Sequence, residues 1–273
     1  MADSLGQAQL YAGSVAWVLR RRRYRLGAEE RLVFVVGAPR SGTTFTAGAI
    51  ASQPGFVDLG EVAPLKAAIP KLAGRPREEA ARELRRVLER VRRLALVSGL
   101  RGVEQTPEAS FVLGAALAAY PQARALVLVR DGRDVVCSLL ERGWLSAGRS
   151  GADHARLAFG GHARFWVEPE RVEEFERASD ATRAAWAWRR YVETALSVPD
   201  RMTLLRYEQL ADDPAAAGEH VAAGLDTKPE ALRRAFSTVH GRSIGRWQRE
   251  LSPHQLADVE REAGDLLRRL GYA

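Results

Sequence analysis

An apolar run that ends in a turn containing glycine and proline constrains the fold more than any other feature of the sequence. Residues 32–36 read Leu-Val-Phe-Val-Val and predict a strand that is buried on both faces of a parallel sheet. Gly37 and Gly42 lie in the turn that follows, and Thr43 and Thr44 open a predicted helix. Backbone N–H groups and the positive end of the helix dipole face outward at such a helix start, so the unit predicts a site for a phosphate or sulfate group.

The turn differs from the nucleotide-binding pattern Gly-x4-Gly-Lys-Ser/Thr in the position of its cation. Thr43 stands where that pattern has Lys, and a positive charge comes three residues earlier, as Arg40. This arrangement favours a ligand with one anion in the loop and no metal-bridged triphosphate. An ordinary connection between a strand and a helix is the alternative for this stretch.

A second apolar strand in the middle of the chain is also followed by charged residues and a helix. Residues 125–129 read Ala-Leu-Val-Leu-Val and lead into Arg130, and the predicted helix contains Ser138. Ligands of open α/β sheets bind in the crevice outside the carboxyl ends of the strands. Arg130 and Ser138 are therefore predicted to face one anion at that edge. Pairing of Arg130 with Asp131 or Asp134 is the alternative.

A glutamate follows a further short strand. Residues 56–59 predict a strand beside the first one, and the Gly60-Glu61 turn then places Glu61 at the same edge of the sheet. A solvated loop position is the alternative role of Glu61 from these residues alone. Residues 62–76 contain several prolines and are predicted to form a loop.

Strands that alternate with amphipathic helices along the chain predict the α/β class. We expect a three-layer, P-loop-like fold with a central parallel sheet flanked by helices. Residues 102–105 and 202–206 predict two more strands, and Tyr207 follows the second of them. Residues 143–180 lose regular periodicity, which is typical of a lid or binding loop.

Composition limits the class of protein. The chain has 273 residues, of which 46% are hydrophobic and 27% charged, as expected of a soluble globular protein with a full core. The net charge of +7 suits an anionic ligand without indicating nucleic acid. Cys137 is the only cysteine, so an intramolecular disulfide is excluded and a cytoplasmic location is predicted. No Cys/His cluster has the spacing of a zinc site.

The N-terminus is predicted to be separate from the main domain. Residues 1–28 are predicted to form a basic helical arm, and residues 29–273 a single domain. The apolar run at residues 11–19 is too short to span a bilayer and precedes four arginines, residues 20–23. Packing against the domain, a homodimer contact, a frayed end and contact with an acidic membrane surface are the alternatives for this arm.

The motifs together resemble the sulfotransferases that use 3′-phosphoadenosine 5′-phosphosulfate (PAPS). Residues 37–44 resemble the 5′-phosphosulfate loop of that family, and residues 129–138 resemble its 3′-phosphate motif. The resemblance extends over residues 31–272. The Pro-Arg-Ser-Gly-Thr-Thr run followed by a Gly-Glu turn is most similar to the tyrosylprotein-sulfotransferase-like branch and its bacterial relatives, and Glu61 follows Arg40 by the same 21 residues.

The resemblance implies in-line transfer of a sulfuryl group from PAPS to an acceptor hydroxyl, with no metal required. Arg40 would stabilise the leaving oxygen, and Glu61 would be the general base. Arg130 and Ser138 would bind the 3′-phosphate. The residues that the resemblance assigns to the donor are Arg40, Ser41, Gly42, Thr43, Thr44, Arg130, Ser138, Tyr207, Arg242 and Arg246.

The resemblance also implies the product 3′-phosphoadenosine 5′-phosphate (PAP) and a bacterial enzyme without a nucleic-acid partner. The acceptor would be a small molecule, a lipid or a glycan, and Trp144, Phe159, Phe165 and Trp166 hint at an apolar or ring-bearing one. One departure is Gln105, which stands where many relatives have Lys. A small-molecule kinase on the same sheet and a weakly active or non-catalytic PAPS-binding protein are the alternative functions.

Overall fold

A parallel sheet forms the centre of the computed structural model, which describes residues 2–21, 30–95, 99–146, 167, 169–198 and 200–272, without the side chains of residues 2–7 and 18–21. The strands in these residues are β1 Val33–Val36, β2 Phe56–Gly60, β3 Arg101–Glu104, β4 Arg124–Val129 and β5 Met202–Arg206. They pair in the order β2-β3-β1-β4-β5, and the recorded pairings are all parallel.

Helices cover both faces of the sheet. They are α1 Ala2–Arg21, α2 Thr43–Ala51, α3 Ala63–Leu72, α4 Arg77–Leu94, α5 Leu113–Ala119, α6 Gly132–Arg142, α7 Val172–Arg177, α8 Asp180–Leu196, α9 Tyr207–Asp212, α10 Pro214–Gly224, α11 Pro229–Phe236, α12 Trp247–Glu250 and α13 Pro253–Arg269. Two 3₁₀ helices, Pro107–Val112 and Pro169–Arg171, complete the regular structure of the described residues. The predicted α/β fold with a central parallel sheet flanked by helices is confirmed.

The sequence of β1 shows why the sheet is covered on both sides. All four of its residues are fully buried, and alternate side chains enter two different hydrophobic cores. Phe34 and Val36 pack in the core that contains side chains of α6 and α8, whereas Val33 and Val35 pack in the core that contains side chains of α2 and α11. A strand in this position needs an uninterrupted apolar run.

The strand order places a crevice beside β1. The prediction that β2 lies next to β1 is wrong, because β3 lies between them. The chain thus runs from β1 outward to β2, back to β3, and then across β1 to β4. Helix α2 after β1 and helix α6 after β4 therefore lie on opposite faces, and the carboxyl ends of these two neighbouring strands border the crevice where ligands of such sheets bind.

The predicted loop at residues 62–76 is also wrong, because most of it forms α3. Pro64 lies in the first turn of the helix, where a missing N–H group has no cost, and only Pro70 lies inside it. The apolar side chains of α3 recur at helical spacing and are buried in the core, namely Leu65, Ile69 and Leu72. Burial of this face outweighs the helix-breaking tendency of one internal proline.

Helix α1 packs against the domain beside the end of β2. Ser14 Oγ accepts a hydrogen bond from the N–H group of Ala63, the first residue of α3, at 3.2 Å. The Trp17 indole lies on Gly60, where a Cβ atom would come within 2.4 Å of its Nε1. The division of the chain at residue 28 stays a prediction, and residues 22–29 lie outside the described part.

No helix among the described residues is both long enough and apolar enough to cross a membrane. Most of the predicted binding loop, residues 147–166 and 168, lies outside the described part of the chain, and so do Phe159, Phe165 and Trp166.

Candidate active site

The loop after β1 turns sharply and leads directly into α2. Ser41 N–H donates a hydrogen bond to the carbonyl oxygen of Ala38 at 3.1 Å, which closes the turn. Gly42 precedes α2 with a φ of +95°, and a Cβ atom there would lie 2.8 Å from the Tyr207 ring, so only glycine fits. Arg40 also has a positive φ, of 75°, a strained conformation that is concentrated at functional sites.

Arg40 connects the two segments that the motifs assign to anions. Its Nε donates a hydrogen bond to Ser138 Oγ at 2.9 Å, and its carbonyl oxygen accepts one from Arg130 Nη1 at 3.2 Å. Ser138 belongs to α6, and Arg130 immediately follows β4. Both bonds therefore cross the crevice between β1 and β4, and they bring Arg40, Arg130 and Ser138 together.

Backbone carbonyl groups and an aromatic ring hold the Arg130 side chain. Its Nη2 donates a hydrogen bond to the Ser243 carbonyl oxygen at 2.6 Å, and the guanidinium lies 4.8 Å from the centroid of the Tyr207 ring. The Asp134 carboxylate is farther away, at 3.8 Å, and Asp131 pairs with Arg133 at 2.8 Å. The guanidinium of Arg130 is thus oriented mainly by neutral groups, and its ion pair with Asp134, one of the two predicted alternatives, is a long one.

The buried polar atoms of this region fit an anionic ligand. Within the described residues, Ser41 Oγ and Arg130 Nε are buried and have no hydrogen-bond partner. Leaving such an atom unsatisfied costs roughly 1–3 kcal/mol. Phosphate or sulfate oxygens would accept from both atoms, beside the N-terminus of α2 and the charge of Arg40. Of the remaining predicted loop residues, Thr43 is buried and Thr44 is exposed.

Tyr207 supports the loop from behind. It follows β5 directly, and its ring packs between Gly42 and the Arg130 guanidinium. Its hydroxyl donates a hydrogen bond to the His240 carbonyl oxygen at 2.8 Å. The structure therefore places Tyr207 against both predicted anion-binding segments.

The turn before α12 is attached to α6 by a buried carboxylate. Asp134 accepts hydrogen bonds from the N–H groups of Gly245 at 2.8 Å and Trp247 at 3.1 Å. Burial raises the pKa of Asp134 above its usual range, and these two N–H groups act in the opposite direction. Asp134 thereby fixes the segment that contains the predicted donor residue Arg246.

The two arginines of this turn lie in different environments. Arg246 makes salt bridges with Glu250 at 2.6 Å and Glu141 at 3.0 Å, and its hydrogen bond with Glu250 raises its pKa further above the ordinary value. Arg242 is exposed. The guanidinium of Arg246 would have to leave at least one carboxylate to reach a phosphate.

Glu61 lies beside a buried lysine at the end of β2. Its carboxylate is about one-third exposed, and its Oε2 lies 3.0 Å from the Nζ atom of Lys66 in α3. The same Nζ lies 3.3 Å from Oε1 of Glu108, whose side chain is buried. Burial raises the pKa of Glu108, and Lys66 lowers it to a smaller extent. Glu61 is therefore the exposed end of a row of three alternating charges.

The neighbouring end of β3 contributes one more buried carboxyl group. Burial raises the pKa of Glu104 to about 7. Its Oε1 accepts hydrogen bonds from the hydroxyl group of Thr106 and from the Thr106 N–H group, the latter at 3.0 Å. The next residue, Gln105, donates its N–H to the Gly60 carbonyl oxygen at 3.2 Å, and its neutral side chain is nearly buried.

The sequence interpretation missed Lys66 and Asp134 as parts of the site. Lys66 fell in a segment predicted to be a loop, although the helical spacing of its apolar neighbours was a usable signal. Asp134 was considered only as a partner of Arg130. Trp144, named for the acceptor, lies near the site, with the Arg40 guanidinium 5.7 Å from the centroid of its ring.

The chain has the fold of the sulfotransferases. No protein-family model matches its sequence, and a search of curated proteins finds no match. The sulfotransferase domain from the curacin biosynthetic pathway matches with a TM-score of 0.56 and 13% identity, over 89% of this chain and 98% of that domain.

Two further solved structures match over similar lengths. Sulfotransferase STF9 from Mycobacterium avium has a TM-score of 0.53 and 14% identity, over 96% of this chain and 81% of that one. Mouse sulfotransferase SULT7A1, solved in complex with PAP, has a TM-score of 0.50 and 14% identity, over 89% of this chain and 86% of that one. At these identities the likeness is one of fold.

Proposed function

We propose that this protein is a sulfotransferase that moves a sulfuryl group from PAPS to an acceptor hydroxyl. The observation that carries the proposal is the hydrogen-bonded set of Arg40, Ser138 and Arg130. This set joins two anion-binding segments across one crevice, and PAPS carries anions at both of its ends. The fold likeness supports the proposal, since one of the matching sulfotransferases binds PAP.

Different residues around the crevice would bind the two anionic ends of PAPS. Arg40, the Ser41 hydroxyl and the N–H groups of residues 41–44 would hold the 5′ end, while Arg130 and Ser138 would hold the 3′-phosphate. Tyr207 supports both sets from behind. PAPS supplies the activated sulfuryl group, and the cations and N–H groups of the loop stabilise the charge that develops on the departing phosphate.

Glu61 is the proposed general base. Its partly exposed carboxylate is accessible to an acceptor, and the buried ammonium of Lys66 adjoins it. A proton would pass from the acceptor hydroxyl to a carboxylate oxygen of Glu61. Arg246 would contribute after exchanging Glu141 or Glu250 for a phosphate, and the exposed Arg242 would join it from the same turn.

The sequence motifs favour the tyrosylprotein-sulfotransferase-like branch and its bacterial relatives, and the single cysteine favours a cytoplasmic enzyme. The acceptor is a hydroxyl-bearing small molecule, lipid or glycan. Residues 29–273 form the catalytic domain, and residues 1–28 form its N-terminal arm.

A ligand titration tests the donor site. PAP is expected to raise the melting temperature more than ADP, or ATP with magnesium, because only PAP carries the 3′-phosphate that Arg130 would bind. Arg130→Ala should abolish the PAP effect, whereas Arg233→Ala, which removes a surface arginine paired with Glu219, should preserve it. Stabilisation by ATP with magnesium and none by PAP would overturn the proposal in favour of a small-molecule kinase.

Turnover tests the reaction itself. With radiolabelled PAPS and a panel of phenols, alcohols, lipids and glycans, the wild type should label an acceptor. Glu61→Gln should bind PAP normally and lose at least about 100-fold in kcat, the usual scale of general-base catalysis. Equal turnover by Glu61→Gln and wild type would exclude Glu61 as the base. PAP binding without turnover on any acceptor would indicate the non-catalytic alternative.

A further inference from the structure

A fully buried lysine lies directly behind the proposed base. Lys66 is one of only three lysines in the chain, and its side chain is 1% exposed. Its Nζ lies 3.0 Å from Glu61 Oε2 and 3.3 Å from Glu108 Oε1. Lysine is rarely buried because its charged form loses hydration, so a buried ammonium requires paired carboxylates. Glu61 and Glu108 both provide such pairing for Lys66.

The two carboxylates differ in what else they contact. Glu108 is 1% exposed, and neither of its carboxylate oxygens makes a well-oriented hydrogen bond within the described residues. The contact that accounts for its buried carboxylate is the ion pair with Lys66. Glu61 is 34% exposed and directs Oε2 to Lys66, so Oε1 is the oxygen that would accept a proton from an incoming hydroxyl group.

The backbone fixes the ammonium relative to the base. Lys66 lies in the first turns of α3, and Glu61 lies two residues before that helix begins. Ser14 Oγ accepts a hydrogen bond from Ala63 N–H and so holds the start of the helix. The geometry of the pair therefore rests on a packed helix and on α1.

We propose that Lys66 is a positioning residue that orients Glu61 for proton abstraction, and that Glu108 is the buried anchor of Lys66. This inference rests on the proposed sulfotransferase function. In the reaction the O–H bond of the acceptor breaks as its proton bonds to Glu61 Oε1. The acceptor oxygen forms a bond to the sulfur of PAPS, while the bond between that sulfur and the 5′-phosphate oxygen breaks and PAP leaves. When Glu61 becomes neutral, Lys66 retains a carboxylate partner in Glu108, so the buried ammonium is never left unpaired.

Several charged groups surround Glu61 and act together on it. Lys66 comes from α3, Glu104 from the end of β3, and Glu108 from the 3₁₀ helix Pro107–Val112. From α1, the Ser14 hydroxyl and the Trp17 indole lie near this place. Lys66 is the cation in contact with Glu61 within the described residues, and its removal takes away that contact.

Three variants test the inference. Lys66→Met removes the ammonium, and Lys66→Met/Glu108→Gln removes it together with the carboxylate that would otherwise be left buried and unpaired. Lys71→Met is the matched control, because Lys71 belongs to the same helix and is exposed. A fourth variant, Lys66→Met/Glu61→Gln, tests whether Lys66 acts through Glu61. The kcat, the KM for PAPS, the binding of PAP and the unfolding midpoint are measured for each variant.

Lys66→Met and Lys66→Met/Glu108→Gln should each lower kcat by about ten-fold or more, because Glu61 loses the contact that orients its carboxylate. In the Glu61→Gln background, Lys66→Met should cause little further loss of kcat, because Lys66 acts through Glu61. PAP affinity and the KM for PAPS should not change. Lys66→Met should unfold more readily than Lys66→Met/Glu108→Gln, since its Glu108 lacks a partner.

The possible failures can be told apart. If Lys66→Met lowers kcat as much in the Glu61→Gln background as in the wild type, Lys66 does not act through Glu61 and the inference is wrong. If Lys66→Met unfolds more readily than Lys66→Met/Glu108→Gln but the wild type transfers no sulfuryl group from PAPS to any acceptor, the anchoring role of Glu108 stands and the proposed function is wrong. A Lys66→Met/Glu108→Gln variant less stable than Lys66→Met would contradict the anchoring role of Glu108.

Discussion

Raising the pH should destabilise the protein through the buried carboxyl group of Glu104. Burial raises the pKa of this group to about 7, against an ordinary value of 4.5 that applies once the chain unfolds. The folded state therefore holds the proton more tightly, and this stabilisation is complete below about pH 4.5 and is lost as the pH rises through about 7. At 1.36 kcal/mol for each pKa unit, a separation of about 2.5 corresponds to about 3 kcal/mol.

Urea unfolding of the wild type and Glu104→Gln across about pH 5 to 8 measures this effect. Glutamine keeps the shape of the side chain and an oxygen that can accept from Thr106 N–H, but it does not titrate. The free energy of unfolding of the wild type should fall by about 2–3 kcal/mol more than that of the variant over this pH range. Glu219→Gln, a change at an exposed salt bridge, should behave like the wild type. If the difference in unfolding free energy between the wild type and Glu104→Gln is the same at every pH, the reasoning is refuted.

Three other substitutions test the packing of the site. Gly42→Ala should abolish stabilisation by PAP and cost about 1–3 kcal/mol of unfolding free energy, whereas Gly48→Ala, whose new methyl group meets open space in α2, should not destabilise the protein. Asp134→Asn should lower PAP affinity about ten-fold in calorimetry by weakening one of two backbone hydrogen bonds, and unchanged affinity would exclude that role. Gly132→Ala should cost about 1–3 kcal/mol in urea unfolding, because its Cβ would lie 2.7 Å from the buried Trp188 ring, and an unchanged midpoint would show that the ring can move.

The parts of the fold that could be predicted from sequence are those with a local physical cause. The apolar runs of β1 and β4 predicted buried parallel strands because both faces of such strands must be apolar. Ser252 and Pro253 predicted the start of α13, and the structure has a capping box there between Ser252 and Gln255.

The order of the strands and the identity of α3 had no comparable local cause. Whether β2 pairs with β1 or with β3 depends on which crossover buries the most surface, and the sequence of β2 is compatible with either neighbour. Prolines in residues 62–76 indicated a loop, but burial of one apolar face against the rest of the protein stabilises a helix there.

Contacts in the candidate site between residues far apart in the chain could not be predicted from the sequence either. Glu108 reaches Lys66 from a different segment of the chain, and no motif joins the two residues. Arg246 was assigned to the nucleotide from its motif, whereas its contacts with Glu141 and Glu250 follow from the placement of α6 beside α12. Motifs indicate which residue types meet a ligand, but the partners of those residues depend on packing.

Arg40 contacts both of the proposed anion-binding segments, and this contact would couple the binding of one anion to the binding of the other. Its side chain binds Ser138 on one side, and its carbonyl group holds Arg130 on the other. An anion that orders Arg40 would therefore also order Arg130 and Ser138, which are proposed to bind the 3′-phosphate, and the converse would hold by linkage. The protein would thus recognise the two ends of a nucleotide cooperatively, and two separate single-anion fragments would bind together more tightly than the product of their individual affinities predicts.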